Sequence, residues 1–171
     1  MSSDHDLLVE LADRIRHRFY GKYRGIVTDV DASTLRIKAT VPAVLGQTPT
    51  GWCLPCVPYA GADVGFFFVP EAGAGVWIEF EGGDVSYPIW SGCYWRTGEL
   101  PSDATPTTRG IVTQAASKLL FDDDGETVTI ADANNNTVSL DSSGVTQSRG
   151  SQKVTVGDAS VSINDGAIEV M

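Results

Sequence analysis

Cys53-Leu54-Pro55-Cys56 has the spacing of a dithiol redox motif, and Cys93 completes the three cysteines of the chain. A redox pair works through a thiol of lowered pKa, usually where a helix opens after a strand. This motif lies instead in a strand-like run beside Pro55 and Pro58, so structural thiols are the expectation. Zinc needs a fourth ligand, and the two histidines, His5 and His17, sit in a separate N-terminal segment. Asp122-Asp123-Asp124-Gly125-Glu126 gathers carboxylates that attract calcium, but it lacks the spaced ligands of a calcium loop and reads as a solvated turn. A metal on an axis shared by several copies stays open, with no residue singled out. Trp52, Trp77, Trp90 and Trp95 have the chemistry of a stacking platform for single-stranded nucleic acid or sugar. There is no Ser-His-Asp set, phosphate loop or paired-carboxylate cleft to argue from. No catalytic, cofactor-binding or metal-binding residue is assigned, and no enzymatic activity is expected.

Charge narrows the choices. The formal net charge is −10, which repels phosphate backbones and anionic membrane surfaces. Nucleic acid is therefore not an expected partner, and the tryptophans read as core and interface packing. An OB-fold module for carbohydrate or nucleic acid stays as the rival reading. Three cysteines do not make a disulfide framework. The N-terminal Met1-Ser2-Ser3-Asp4-His5-Asp6 is acidic and lacks the apolar segment of a signal peptide. No run approaches the roughly 20 apolar residues of a membrane span. Assembly in a cytoplasm is expected.

The elements come in three textures. Over 4–20, Leu7, Leu8, Leu11, Ile15 and Phe19 recur at helical spacing among Asp13, Arg14, Arg16 and Arg18. Ser3 or Asp4 caps the start and Gly21 ends it, so 1–21 is predicted as one amphipathic helix. Its apolar stripe must pack either on its own domain or on another subunit. Residues 22–100 read as a small all-β unit. Strands are predicted over 23–30, with Ile26, Thr28 and Val30 on one face, and over 34–41, where Leu35, Ile37 and Ala39 alternate with Arg36 and Lys38. A loop over 42–51 follows, then strands over 52–57, 65–69, 76–81 and 88–95. This set, with its long middle connection, fits a closed OB-fold barrel. Residues 101–108, rich in Pro, Thr and Ser, read as a linker.

Residues 109–171 repeat short apolar-polar-apolar triplets. They are Leu119-Leu120-Phe121, Val128-Thr129-Ile130, Val138-Ser139-Leu140, Val154-Thr155-Val156, Val161-Ser162-Ile163 and Ile168-Glu169-Val170. Turn clusters such as Asn134-Asn135-Asn136 and Asp141-Ser142-Ser143-Gly144 separate them. This is the texture of a repeat rod. Each triplet offers two apolar side chains, too little to offset an ordering cost of roughly 1–2 kcal/mol per residue. Single strands would also leave edges unpaired. Winding identical chains together answers both, with Val128, Ile130, Val138, Leu140, Val154, Val156, Val161, Ile163, Ile168 and Val170 on a common axis. Three copies make the smallest closed prism, and a two-sheet sandwich within one chain is the alternative. The expected class is mainly β: an N-terminal helix, an OB-fold barrel and a C-terminal intertwined trimeric β-helix.

The middle region resembles a known family. Gly51-Trp52-Cys53-Leu54-Pro55-Cys56-Val57-Pro58-Tyr59-Ala60-Gly61, then Gly65-Phe66, then Pro70-Glu71-Ala72-Gly73, then an apolar strand ending in Gly83-Asp84, then Pro88-Ile89-Trp90-Ser91-Gly92 form one long ordered pattern. It resembles the OB-fold of the central spike of contractile tails. That family includes phage baseplate assembly protein V, the spike portion of VgrG in type VI secretion, and the spikes of extracellular contractile injection systems. The resemblance implies a homotrimer on the tail axis, in the baseplate of a virion tail or injection particle, with transient contact to a target membrane. It further implies a hub ring behind the barrel and a PAAR-type tip protein. No cell-wall hydrolase domain fits between barrel and rod. Only the helix precedes the barrel, so the hub is expected to be a separate protein, and Leu7, Leu8, Leu11, Ile15 and Phe19 are expected to form a hub or subunit interface. The run Gly166-Ala167-Ile168-Glu169-Val170-Met171 has no cap, so a blunt needle closed by another protein is expected.

Overall fold

The computed structural model describes residues 4–171. Alternation decides where its strands run. In β2 (Arg36–Thr40), which follows β1 (Tyr23–Asp31), Ile37 and Ala39 are fully buried while Arg36 and Lys38 face outward. The core side of β1 is Gly25 and Val27, a correction to the expected Ile26, Thr28 and Val30 face. Two features explain the difference. A side chain on Gly25 would meet Ile78 Cγ1 at 3.0 Å and the Thr40 carbonyl at 3.1 Å, so its bareness lets the neighbouring strands close in. A bulge between Val27 and Asp29 then resets the alternation.

Next come α2 (Pro42–Leu45), β3 (Leu54–Pro55), β4 (Tyr59–Gly61), β5 (Val64–Phe66), β6 (Gly75–Phe80) and β7 (Pro88–Tyr94). The short helix α2 lies in the predicted loop and starts on Pro42, whose fixed φ suits a first helical position. One sheet has the order β2-β1-β6-β7-β3. A bridge from Cys53 back to Ile37, with the Cys53 N–H donating to the Ile37 carbonyl at 2.8 Å, brings its two ends together. The sheet thus curls on itself in the OB manner. Val27, Ile37, Val41, Val76, Ile78 and Trp90 are among the side chains that fill it. Phe66 belongs to a separate two-stranded hairpin of β4 and β5, so the strand predicted over 65–69 is not part of the barrel wall.

The helix α1 (Asp4–Arg16) stops before the expected residue 20. The chain turns there because the Phe19 N–H donates to the Gly83 carbonyl at 2.8 Å and Arg18 pairs with Asp84 at 3.2 Å. Gly83 has φ +78, and a Cβ there would lie 3.1 Å from Arg18 Cβ and from the Phe19 nitrogen, so the close approach needs glycine.

The chain divides into two compact units between Glu99 and Leu100. The second holds β8 (Thr108–Val112), β9 (Lys118–Asp122), β10 (Thr127–Ala131), β11 (Asn136–Asp141), β12 (Gly144–Arg149), β13 (Gln152–Val156), β14 (Val161–Ile163) and β15 (Ile168–Val170). All are antiparallel, each paired with its neighbours in sequence, in one sheet. The expected class is borne out: mainly β, with an N-terminal helix, a curled OB-type sheet and a C-terminal sheet. The correction concerns the ladder. Hairpins give β8–β15 backbone partners inside one chain, where interchain ladder bonds were anticipated. Aspartates make these turns. Asp122, Asp132 and Asp141 each accept from backbone amides of the turn that follows, at 2.8–3.2 Å.

Candidate assembly surfaces

Among the described residues, the cysteines, the acidic cluster and the tryptophans do not come together at one place. Cys53 is fully buried, its thiol is 3.2 Å from the Thr50 hydroxyl, and burial pushes its pKa up, against thiolate chemistry. Cys56 and Cys93 are exposed and unpaired, and burial followed by the nearby Glu71 carboxylate raises the Cys93 pKa. Of the acidic cluster, Asp122 caps its own turn and Asp123 pairs with Arg109 at 2.9 Å. Among the described residues no three His, Cys, Asp or Glu side chains gather as a metal site. The tryptophans separate. Trp90 lies in the core, Trp77 packs at a tilt against Tyr94 with centroids 5.2 Å apart, Lys38 covers Trp52 at 4.7 Å, and Trp95 is exposed. They form no common platform.

What stands out is apolar surface. In α1, Leu7, Leu8, Leu11 and Ile15 are 53–66 % exposed. Packing on their own domain, one of the two destinations open to the stripe, does not occur. Phe19 is the exception and a correction to the expected set. It leaves the helix, packs on the barrel core, and meets Tyr23 and Phe80 edge-on at 6.2 and 6.4 Å.

The second surface is one face of the C-terminal sheet. Cross-strand registers place Val128 opposite Leu140 and Ile130 opposite Val138. They place Val154 opposite Ile163 and Val156 opposite Val161, then Val161 opposite Val170 and Ile163 opposite Ile168. Side chains directly opposite share a face. All the residues assigned to the axis therefore lie on one face, with Thr129, Ser139, Thr155 and Ser162 on the other. Ile130, Leu140, Val154, Val156, Val161, Ile168 and Val170 are exposed on it. A trough of about 890 Å³ is lined by Leu119, Ile130, Val138, Val154 and Ile163 together with polar residues such as Lys118, Asn136, Arg149 and Lys153. Sequence reasoning missed the strands β8 and β12. Arg109 and Gln147 each stand in one of the two apolar slots, so only the turn-bounded spacing signalled these strands.

The third surface was also missed. Phe66, Phe67 and Phe68 are about half exposed or more, on and beside the β4–β5 hairpin, with the Phe66 and Phe68 rings 5.1 Å apart. The consecutive phenylalanines were the available signal, since a buried strand of a curled sheet alternates.

The fold is a curled OB-type sheet followed by a meander with one exposed apolar face. Family comparison agrees. Residues 23–95 match the type VI secretion system/phage-baseplate injector OB domain. Residues 109–169 match the phage baseplate V C-terminal trimerisation domain. The two matches together take in most of the chain, and the chain belongs to the baseplate spike family. It is thus a structural component of a phage or type VI baseplate, and its trimerisation domain supports a homotrimer. No curated protein matches the chain. Among the described residues no helix is long and apolar enough to cross a membrane.

Proposed function

We propose that the chain is the central spike of a contractile tail or injection-system baseplate. Three copies join through residues 109–171, cap the tube through the barrel of 22–100, and puncture the target envelope when the sheath contracts. Residues 101–108 link the two, and the helical segment within 1–21 docks on a hub protein. A PAAR-type protein closes the tip, and assembly takes place in the bacterial cytoplasm. One observation carries this reading: the exposed apolar face of the C-terminal sheet falls on the residues of the trimerisation match.

The physics favours it. Fully burying a Val, Leu or Ile side chain stabilises by about 1.5–3 kcal/mol. Half of that, summed over the axis side chains, contributes on the order of 10 kcal/mol per copy. Stiffness under axial load follows, because many ladder bonds and contacts must break together. At the usual strand spacing of about 4.8 Å, the stack β8–β15 is roughly 35 Å tall. Native mass spectrometry of the full chain at low micromolar concentration tests the reading. A trimer that persists on dilution is expected, and a monomer would overturn it.

A further inference from the structure

Side chains on the apolar face of the C-terminal sheet line up in columns. The inner column passes Ile111, Leu119, Ile130 and Val138, then Gln147, then Val154, Ile163 and Ile168. Every member is apolar except Gln147. It sits in the middle strands of the stack, directly between Val138 and Val154. On the opposite face the polar groups of the same strands find partners, Thr146 with Thr155 at 3.1 Å and Thr137 with Ser148. The Gln147 carboxamide makes no hydrogen bond among the described residues and is exposed in the single chain.

We infer that Gln147 fixes the register of the assembled rod by forming a ring of three carboxamides on the axis. The inference rests on the trimeric reading above. A three-fold axis along the stack brings the same strand of each copy to one level. At the β12 level three Gln147 side chains then converge, and each Nε2 donates to the Oε1 of the next copy. Aligned copies satisfy one donor and one acceptor of every amide. A copy slipped by one hairpin, which keeps the strand direction, is displaced by about 10 Å. It presents Ile130 or Ile163 at that level, so the ring is broken: two amides keep a single bond between them, and the slipped copy's amide is buried among apolar side chains without a partner. Apolar columns alone do not discriminate, because Val, Ile and Leu interchange at similar volume. A lone polar side chain in an apolar seam is how helical bundles also fix alignment.

The test uses the full chain as wild type, Gln147→Glu and Gln147→Val, each sized by native mass spectrometry and melted at two pH values. Three carboxylates at one level repel when ionised. The Gln147→Glu trimer should melt about 10 °C or more below wild type near pH 8, with most of the gap closing near pH 4.5. Loss of the trimer near pH 8 with recovery near pH 4.5 supports the ring equally. An equal gap at both pH values overturns the ring while leaving the trimer in place. A monomeric wild type overturns the spike reading itself. If Gln147→Glu assembles at neither pH, Gln147→Val decides by valine-methyl NMR. Trimers with several sets of valine signals support register fixing by Gln147. A single set, as in wild type, overturns it.

Discussion

The Asp31 carboxylate closes the turn between β1 and β2. It accepts from the Thr34 hydroxyl at 2.6 Å, the Ser33 hydroxyl at 2.7 Å and the Ser33 amide at 2.8 Å. These bonds, with that of Thr34 foremost, hold its pKa down at about 2. A carboxylate whose folded-state pKa is depressed stabilises the fold above its ordinary value near 3.8, and that contribution is lost as the pH falls toward 2. Asp31→Ala should therefore lower the melting temperature near pH 6, with the gap to wild type shrinking as pH drops from about 4 to 2. Circular dichroism melts across that window read it, and a constant gap would contradict the account. The same economy recurs at Asp132 and Asp141, whose carboxylates are held below the usual range by their turns. Such turns were legible in the sequence, because short polar residues at fixed offsets cap locally. The fate of Phe19 was not. Its helical spacing matched the stripe, but a backbone bond to Gly83, distant in sequence, takes it into the barrel.

At the scale of elements, α1 carries an apolar stripe with its end fastened and its body uncovered. Arg18 bonds Asp84 and the Gly82 carbonyl, and Phe19 is seated on the core, so the helix is anchored from its C-terminal end. Removing residues 4–16 while keeping Arg18 and Phe19 should spare the barrel and the trimer. Co-purification with a co-expressed baseplate hub protein should fall at least tenfold; retention of the hub would end the docking role of the stripe. Strands that alternate, such as Arg36–Thr40 and the stretch 76–80, were readable because one face is buried and the other less so. Alternation failed where geometry intervened: at the β1 bulge, at Gly25, and at the β4–β5 hairpin, whose phenylalanines face outward. In the rod, the triplets revealed the strands whose two apolar slots are filled. They hid β12, where Gln147 stands in the second slot, and that residue is the one we assign to alignment.

For the whole molecule, the two units have different sources of stability. The barrel has its own core around Ile37, Ile78 and Trp90, whereas the rod has a ladder and a face that awaits its copies. A fragment ending at Glu99 should fold, with near-UV signals from its tryptophans, yet sediment as a monomer. A trimeric fragment would move the assembly function from the rod to the barrel. The pairing of every rod strand with its sequence neighbours has a further consequence, a kinetic one. Low contact order favours fast folding, and hairpins close in about 1–10 μs, so the ladder of one chain can form as it leaves the ribosome. Encounter between chains then becomes the slow, concentration-dependent step, a docking of nearly finished sheets. Because each hairpin adds a fixed rise, inserting or deleting whole hairpins lengthens or shortens the rod without new turn or pairing rules. The span of such a rod is in that sense an arithmetic property of its gene.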